Sequence, residues 1–258
     1  MSKKSPKIIP ETSRFLCIDG GSSRIKAYEY YRGHAKLLTQ ASEVGALMRA
    51  IRSHTAQSYD AVLIYGHRQW SPKLEHATYP AGEKYELSFQ TVPGNFMRYS
   101  TPETLGLDRY LACLGAAQQL RNEEAVVVID AGTACTIDFM WKEGIYEGGV
   151  IMPGRQIWEE GLRDRTPQLP YVDRIIPKSH PGKTTRSCLE WGLMGSFAAA
   201  IRYHIYRYEE ELTDRLKVMV TGGDGEDLLS PLQLATRQFD EYLVPKGMVA
   251  FFGRFLAK

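Results

Sequence analysis

Apolar residues along this chain gather into two short runs, each ending at an acid and a turn of small residues. The first run is Phe15-Leu16-Cys17-Ile18. It leads into Asp19-Gly20-Gly21-Ser22-Ser23 and then the alternation Arg24-Ile25-Lys26-Ala27-Tyr28. The second is Val126-Val127-Val128-Ile129, followed by Asp130-Ala131-Gly132-Thr133 and the alternation Ala134-Cys135-Thr136-Ile137-Asp138. Each pattern predicts a buried strand, a tight turn and a returning strand, a hairpin with a carboxylate at its mouth. A lone Asp-x-Gly says little, because both residues are common in turns. Two copies about one small domain apart, each followed by a hydroxyl residue and a returning strand, point to an internal duplication.

The remaining pattern fills in around the hairpins. A strand is expected over 36–40, and Val44, Leu47, Met48 and Ile51 have helical spacing. Ala61-Val62-Leu63-Ile64-Tyr65 reads as a short buried strand, while 66–98 shows no clear period. Ser100 and Glu103 have the spacing of a capping box, with Pro102 in the first turn of a helix carrying Leu107, Leu111, Leu114 and Leu120. Glu147 to Gly154 reads as a Gly-rich strand and turn, and Gln156 to Leu162 as a helix. Pro177 to Gly182 is a loop before a long helix capped by Thr185. On that helix Gly192 and Gly195 would permit close approach, and Glu209-Glu210-Glu211 reads as a solvated end. A buried strand from Lys217 ends at Thr221-Gly222-Gly223-Asp224. A helix over 226–236, an extended Tyr242-Leu243-Val244 and a terminal helix from Gly247 to Phe255 complete the chain. Strands mixed with helices in both parts give an α/β class. The expected halves are 14–120 and 121–258, packed as one body with a cleft between them.

Composition narrows the partners. A chain of 258 residues accommodates one large domain or two ordinary ones. The 43% hydrophobic and 24% charged shares suit a soluble globular protein. A net charge of +2 gives no strong field to draw nucleic acid or an anionic membrane, and no apolar run is long enough to span a bilayer. Neither partner is expected. Residues 1–13 read as a tail, since Ile8-Ile9-Pro10 is too short for a signal-peptide core. Cys17, Cys113, Cys135 and Cys188 stand in apolar or small-residue company without a Cys-x-x-Cys pair. They are read as buried free thiols in a reducing, cytoplasmic compartment. The six histidines lack zinc-site spacing. Gly182-Lys183-Thr184 imitates the end of a P-loop, but that motif needs glycine where Pro177 stands, and it is rejected.

Two Asp-Gly hairpins and a Gly-Gly strand end suit a nucleoside triphosphate. Gly21, Ser22, Ser23, Gly132 and Thr133 offer backbone and hydroxyl donors to phosphate oxygens, and Lys26 offers charge. Asp19 suits Mg²⁺, which takes one or two carboxylates plus phosphates and waters. Gly222-Gly223 lets a flat ligand lie against the backbone. Phosphoryl transfer also calls for a base near the acceptor hydroxyl. Asp108, beside Arg109 early in its helix, is the candidate; a solvated pair near a helix start is the plain alternative.

With these residues in view, the chain resembles the acetate and sugar kinase, heat-shock chaperone and actin superfamily, and within it type III pantothenate kinase. The resemblance spans about residues 14–250. It rests on the Asp19-to-Lys26 hairpin, Tyr99 nine residues before Asp108, Gly106-Leu107-Asp108-Arg109 and Asp130-Ala131-Gly132-Thr133-Ala134. It continues through Gly148-Gly149 with Pro153-Gly154, Arg165-Thr166 before Leu169-Pro170, Thr185 seven residues before Gly192, and Thr221-Gly222-Gly223-Asp224. The resemblance implies a duplicated ribonuclease H-like (actin-like ATPase) fold, with two mixed-sheet halves flanking a nucleotide cleft. It implies ATP with Mg²⁺ as phosphoryl donor and pantothenate as acceptor, giving 4'-phosphopantothenate for coenzyme A synthesis, by a homodimer.

By position, Asp19, Gly20, Gly21, Ser22, Ser23, Arg24, Ile25 and Lys26 would bind ATP, with Gly132, Thr133, Gly222 and Gly223. Asp108 would be the general base. Tyr99, Gly106, Leu107, Asp108, Arg109 and Thr185 would form the pantothenate site, Arg109 pairing with the carboxylate. Asp130 would hold a monovalent cation, potassium or ammonium, and Asp19 would hold Mg²⁺ through phosphates. The chain departs from the family where Ser22 and Ser23 replace Asn and Thr, where Thr101 replaces Asn, and in His67-Arg68-Gln69-Trp70. A non-catalytic accessory or regulatory relative, and a kinase for another small hydroxy acid or sugar, are the competing functions.

Overall fold

The computed structural model describes residues 9–257 except 22, 55–57, 67–68, 80–81, 213–214 and 236–237. Ser22 of the first hairpin, His67-Arg68 and most of the expected tail lie outside the described residues. Contacts divide the chain into two compact units. The first comprises Met1–Gln119, Glu143–Glu147 and Tyr242–Lys258; the second, Leu120–Lys142 and Gly148–Glu241. The repeat boundary read near residue 120 separates the two hairpins. The later part, expected to run unbroken to 258, returns two segments to the first unit.

The first unit is built on a five-stranded sheet in the order β3-β2-β1-β4-β5. Its strands are β1 (Arg14–Gly20), β2 (Ile25–Tyr31), β3 (His34–Ala41), β4 (Ala61–Gly66) and β5 (Glu83–Glu86). β1, β2 and β3 form an antiparallel meander. After helix α1 (Val44–His54) the chain crosses over to β4, parallel to β1, and β5 runs parallel to β4. β5 lies inside the stretch that showed no period, because it has four residues, one of them apolar in character. Leu47, Met48 and Ile51 of α1 and Leu74 of α2 (Ser71–Glu75) pack with Leu16, Ile18, Ile25, Val62 and Ile64 of the sheet into one buried cluster.

Helices α3 (Leu107–Ala117) and α8 (Leu243–Phe251) also belong to this unit. They meet backbone to backbone. A Cβ on Gly115 would collide with the Leu243 carbonyl oxygen, and one on Gly247 with the Leu111 carbonyl oxygen. Small residues facing each other in this way let two helices approach within side-chain-free distance. Tyr242-Leu243-Val244 is therefore not extended as the sequence suggested. Leu243 opens α8, where burial against α3 outweighs the weak helix propensity of a β-branched residue and a proline.

The second unit repeats the plan with four strands in the order β8-β7-β6-β9. These are β6 (Ala125–Ala131), β7 (Ala134–Trp141), β8 (Tyr146–Pro153) and β9 (Leu216–Thr221). β6 pairs antiparallel with β7 and parallel with β9, as β1 does with β2 and β4. Val127, Ile129, Ile137, Phe139, Val218 and Val220 bury one sheet face under α6 (Ser196–Leu212) and α7 (Gly225–Leu232). The fold is thus a duplicated α/β architecture of two mixed sheets.

Several boundaries differ from the sequence reading. Ser100 and Glu103 form no capping box. Pro102–Thr104 is a separate 3-10 turn in which the Thr104 hydroxyl bonds to Thr101, and α3 begins later, at Leu107, and ends before Leu120. α4 runs from Arg155 to Arg165. α5 (Thr185–Glu190) is capped by Thr184, not Thr185: Thr184 and Ser187 exchange the reciprocal bonds of a capping box. The long helix expected from there is interrupted by a π turn over Trp191–Gly195. The Trp191 ring occupies the space that a side chain on Gly195 would need, whereas Gly192 has no close neighbour. α7 stops at Leu232, where Gln233 takes a left-handed φ of 58°. Cys17, Cys113 and Cys135 are buried as expected, but Cys188 is exposed.

Candidate phosphate and acceptor site

In the first unit the strand register lines up a row of side chains at the mouth of the hairpin. Asp19 on β1 lies opposite Lys26 on β2 and opposite Tyr65 on β4. Residues opposite one another on neighbouring strands project from the same sheet face. Beyond them the chain is stripped of bulk. A Cβ on Gly20 would stand 3.0 Å from the Gly66 Cα and 3.2 Å from a Leu74 methyl. The Trp70 indole nitrogen donates a 2.8 Å hydrogen bond to the Gly21 carbonyl and ties down the turn. Ser23 and Arg24 are exposed, Lys26 is half-buried, and Asp19 and Ile25 are buried.

α3 brings in the acceptor side of the same unit. Its N-cap, Gly106, has no side chain to offer, and the Asp108 carboxylate folds back over it. The Asp108 Oδ1 accepts the Arg109 amide at 3.0 Å, and a Cβ on Gly106 would overlap that oxygen. Gly106 is needed here for space, since its φ of −64° suits any residue. The Arg109 side chain is nine-tenths buried and Leu107 is buried. Tyr99 meets Tyr146 edge to face, with ring centroids 6.0 Å apart. Tyr65, absent from the sequence reading of the site, is buried on β4 opposite Asp19. Burial first, then the Asp108 and Asp19 charges, raise its pKa well above the ordinary 10.0, so it stands there as a neutral phenol.

The second unit carries the parallel arrangement. Asp130 lies opposite Thr136 on β7 and Thr221 on β9. Gly132 donates its amide to Ala134 across the turn at 3.1 Å, and Thr133 is exposed. Gly154, capping α4, donates to the Thr133 carbonyl at 3.0 Å. Gly222 has a φ of +90°, which glycine alone takes without strain, and a Cβ there would stand 2.5 Å from both the Asp130 Oδ1 and the Ala131 carbonyl oxygen. Gly223 has no close neighbour, and Thr185 is exposed at the first position of α5.

Behind this turn lies a charge network that the sequence reading missed. Arg155 is almost completely buried at 2% exposure. It donates to Asp224 at 2.5 Å and to Glu159 at 3.2 Å, while Arg174 reaches Glu159 at 3.1 Å. The Asp224 amide in turn donates to the Ala131 carbonyl at 3.0 Å. One signal was available. A cation at the first position of a helix opposes the helix dipole, so Arg155 there required an acidic partner. The Trp70 bond to Gly21 and the place of Tyr65 opposite Asp19 had no such signal, because tertiary packing and strand register set them.

The residues fit the cations that this chemistry uses. The described residues contain no group of three His, Cys, Asp or Glu side chains placed to hold a metal, so a cation here rests on single carboxylates with other oxygens. Asp19 meets that description beside a bare Gly-Gly turn, which suits Mg²⁺ shared with phosphates. Asp130 meets it at the cradle kept open by Gly222 and lined by the Ala131 carbonyl. The field there is acidic: burial, then Asp130, Asp138 and Asp224, push the Cys135 thiol up to about 12.

Comparison with known proteins bears on the family and the fold. The family model described as type III pantothenate kinase matches residues 15–207. A type III pantothenate kinase of Chlorobaculum parvum is 35% identical over 155 residues, covering 58% of this chain and 57% of that protein. One from Flavobacterium johnsoniae is 35% identical over 136 residues, covering 53% and 55%. The chain thus spans little more than half the length of these curated relatives. A type III pantothenate kinase of Persephonella marina is 29% identical over 244 residues, covering 92% of each. Among solved structures, a protein described as a Baf family transcriptional activator from Campylobacter jejuni superposes with a TM-score of 0.58 at 20% identity, covering 92% of this chain and 96% of that one. A 2-dehydro-3-deoxygalactonokinase protein from Sinorhizobium meliloti does so with 0.55 at 12% identity, covering 92% and 98%. At such identities the two structures speak to the fold alone. No described helix is long and apolar enough to cross a membrane.

Proposed function

The chain belongs to the type III pantothenate kinase family, and from that premise we propose that it phosphorylates pantothenate with ATP to give 4'-phosphopantothenate, the first step of coenzyme A synthesis. The observation that carries this reading is the family match over residues 15–207, which takes in both the Asp19 hairpin and the α3 start bearing Asp108, two features of the first unit. One carboxylate is then available for a phosphate-bound cation and the other for the acceptor hydroxyl.

In this reading the hairpin from Asp19 to Lys26 binds ATP phosphates through backbone amides, the Ser22 and Ser23 hydroxyls and the Lys26 ammonium. Gly132, Thr133, Gly222 and Gly223 of the second unit also serve ATP. The Arg109 guanidinium pairs with the pantothenate carboxylate, a match that its planar fork favours. Tyr99, Gly106, Leu107 and Thr185 contribute to the same acceptor. Asp108 takes the proton of the primary hydroxyl as that oxygen bonds to the γ-phosphorus, and the bond to the bridging oxygen breaks to release ADP. Asp19 would hold Mg²⁺ through the phosphates, and that ion would supply charge neutralisation. Asp130 would hold a monovalent cation, potassium or ammonium. We further propose a cytoplasmic homodimer; the exposed apolar Ile151, Ile157, Tyr171 and Ile175 of the second unit support an interface.

The test is phosphoryl transfer from Mg-ATP to pantothenate by the purified protein, in potassium and in sodium. Phosphopantothenate formed faster in potassium is the expected outcome. Equal rates in the two salts would remove the role given to Asp130. Absence of turnover by the folded protein would sink the kinase reading in favour of another acceptor or an accessory role.

A further inference from the structure

We propose that Trp70 is a positioning residue for ATP: its indole N–H holds the Gly21 carbonyl and so keeps the first phosphate turn in its donor-presenting form. The inference rests on the kinase reading above, in which this turn serves ATP, and concerns a residue outside the motifs that carry that reading.

Three observations carry it. The first is the bond itself. The Trp70 Nε1 donates to the Gly21 carbonyl oxygen at 2.8 Å, across 49 positions of sequence. It joins two of the stretches in which the chain departs from its family, His67 to Trp70 and the turn that carries Ser22 and Ser23.

The second is that the indole is itself held. Trp70 stands at the N-cap of α2, where its carbonyl accepts the Leu74 amide at 2.9 Å. Its side chain packs against the buried cluster that holds Leu16, Ile18, Ile64 and Leu74. The turn is pressed against it: a Cβ on Gly20 would stand 3.0 Å from the Gly66 Cα and 3.3 Å from the Trp70 Cβ. The donor is therefore fixed to the sheet, and the turn has little room to draw away.

The third is what the turn would do without it. Glycine has the widest choice of backbone angles, so Gly20-Gly21 leaves the peptide groups of this turn free to rotate. An anion site needs amide N–H groups facing the ligand. A peptide group is planar, with its C=O and N–H pointing opposite ways. A rotated peptide would turn a carbonyl oxygen toward the phosphates in place of a donor, and its lone pairs would face negative charge. The indole takes the Gly21 carbonyl and removes that alternative. An indole suits the task because it donates only, and so brings neither an acceptor nor a charge of its own to the turn.

The experiment uses Trp70→Phe in the full chain, which keeps an aromatic ring in the cluster and removes the donor. The KM for ATP should rise about fivefold, the scale of one net hydrogen bond, with kcat and the KM for pantothenate within about twofold of wild type. Tyr79→Phe is the control for α2 alone. It removes the 2.9 Å bond from the Tyr79 hydroxyl to the Leu74 carbonyl and leaves the turn untouched, so the KM for ATP should not move. An unchanged KM for ATP in Trp70→Phe overturns the proposal. An equal rise in both variants does so too, since it reduces Trp70 to packing. A second readout does not depend on turnover. The indole N–H resonance that vanishes in Trp70→Phe identifies Trp70, and in the wild-type protein it should exchange with solvent slowly. Exchange as fast as that of an exposed indole overturns the proposal. A wild-type protein without turnover would instead defeat the kinase reading. Mg-ATP binding to wild type and Trp70→Phe, measured by calorimetry, would then decide on Trp70: weaker binding by the variant upholds its role, and equal affinities, or no binding by either, overturn it.

Discussion

At the scale of single residues, Asp108 and Gly106 make a pair in which one supplies a carboxylate and the other supplies room for it. Asp108→Asn keeps the shape and removes the base, so kcat should fall by roughly 10²–10⁴; turnover near the wild-type value would take Asp108 out of that role. Gly106→Ala puts a methyl where the Asp108 Oδ1 now lies. The carboxylate must turn aside, and a displacement of that size costs on the order of 10²-fold in kcat. A kcat lower on that scale with an intact fold, read by circular dichroism, is the expected pattern, and full activity would show that the carboxylate has other room. Both residues were legible in the sequence, because Gly106 through Arg109 is a contiguous motif whose chemistry is written in adjacent letters. The Trp70 bond to Gly21 was not, since it spans 49 positions.

At the scale of elements, the second hairpin is held from behind by two glycines and an ion pair. α4 begins against its turn through Gly154, and β9 ends against it through Gly222. Arg155 closes the arrangement by joining the start of α4 to Asp224, at the N-cap of α7. Arg155 also has Glu159 at 3.2 Å and Asp227 at 3.9 Å, so removing Asp224 takes the nearest of three acids from a buried charge. Because Arg155 is 2% exposed and Asp224 is 26% exposed, loss of the acid should cost more than loss of the base. Asp224→Ala is expected to destabilise the chain by about 3 kcal/mol and Arg155→Met by clearly less, measured by urea unfolding. The reverse order would mean that Glu159 alone satisfies Arg155. The strands of both hairpins were readable from period and apolar content, since burial on the sheet dictates both. Helix ends were read less well. Thr184 rather than Thr185 caps α5, and α3 starts after a separate 3-10 turn, because caps are chosen by local hydrogen bonds among several hydroxyls of similar merit.

At the scale of the whole molecule, the folded chain withholds protons that the unfolded chain would release. Burial, then nearby carboxylates, push the Cys135 thiol from the ordinary 9.0 up to about 12. Burial and Glu29 push the Tyr59 phenol from 10.0 to about 12. Cys17, Tyr65, Tyr79 and Tyr110 are raised further, chiefly by burial. Above the unfolded values the native state binds more protons than the unfolded one. Their contribution is therefore complete below about pH 9 and is lost as the pH rises toward 12. Tm should be level from about pH 7 to 9 and then fall steeply, and a Tm that holds to pH 11 would contradict it. The duplicated architecture was visible in the sequence through the repeated hairpin. The assignment of Tyr242–Lys258 to the first unit was not, because tertiary contacts set it: Gly247 meets α3, and Phe252 and Tyr242 reach Phe15 and Tyr28 of the first sheet.

That last helix has a bearing on how the protein is made. A ribosome emits β1 to β5 and α3 early, yet the partner for Leu111 and Gly115 is not made until residue 247 has been added. The opening unit waits through the synthesis of all of the other, with one flank of α3 bare. The second unit has no such wait, since everything it needs lies between residues 120 and 241. The nascent chain should complete its later half first, and the earlier half is the one that would depend on a chaperone in the interval.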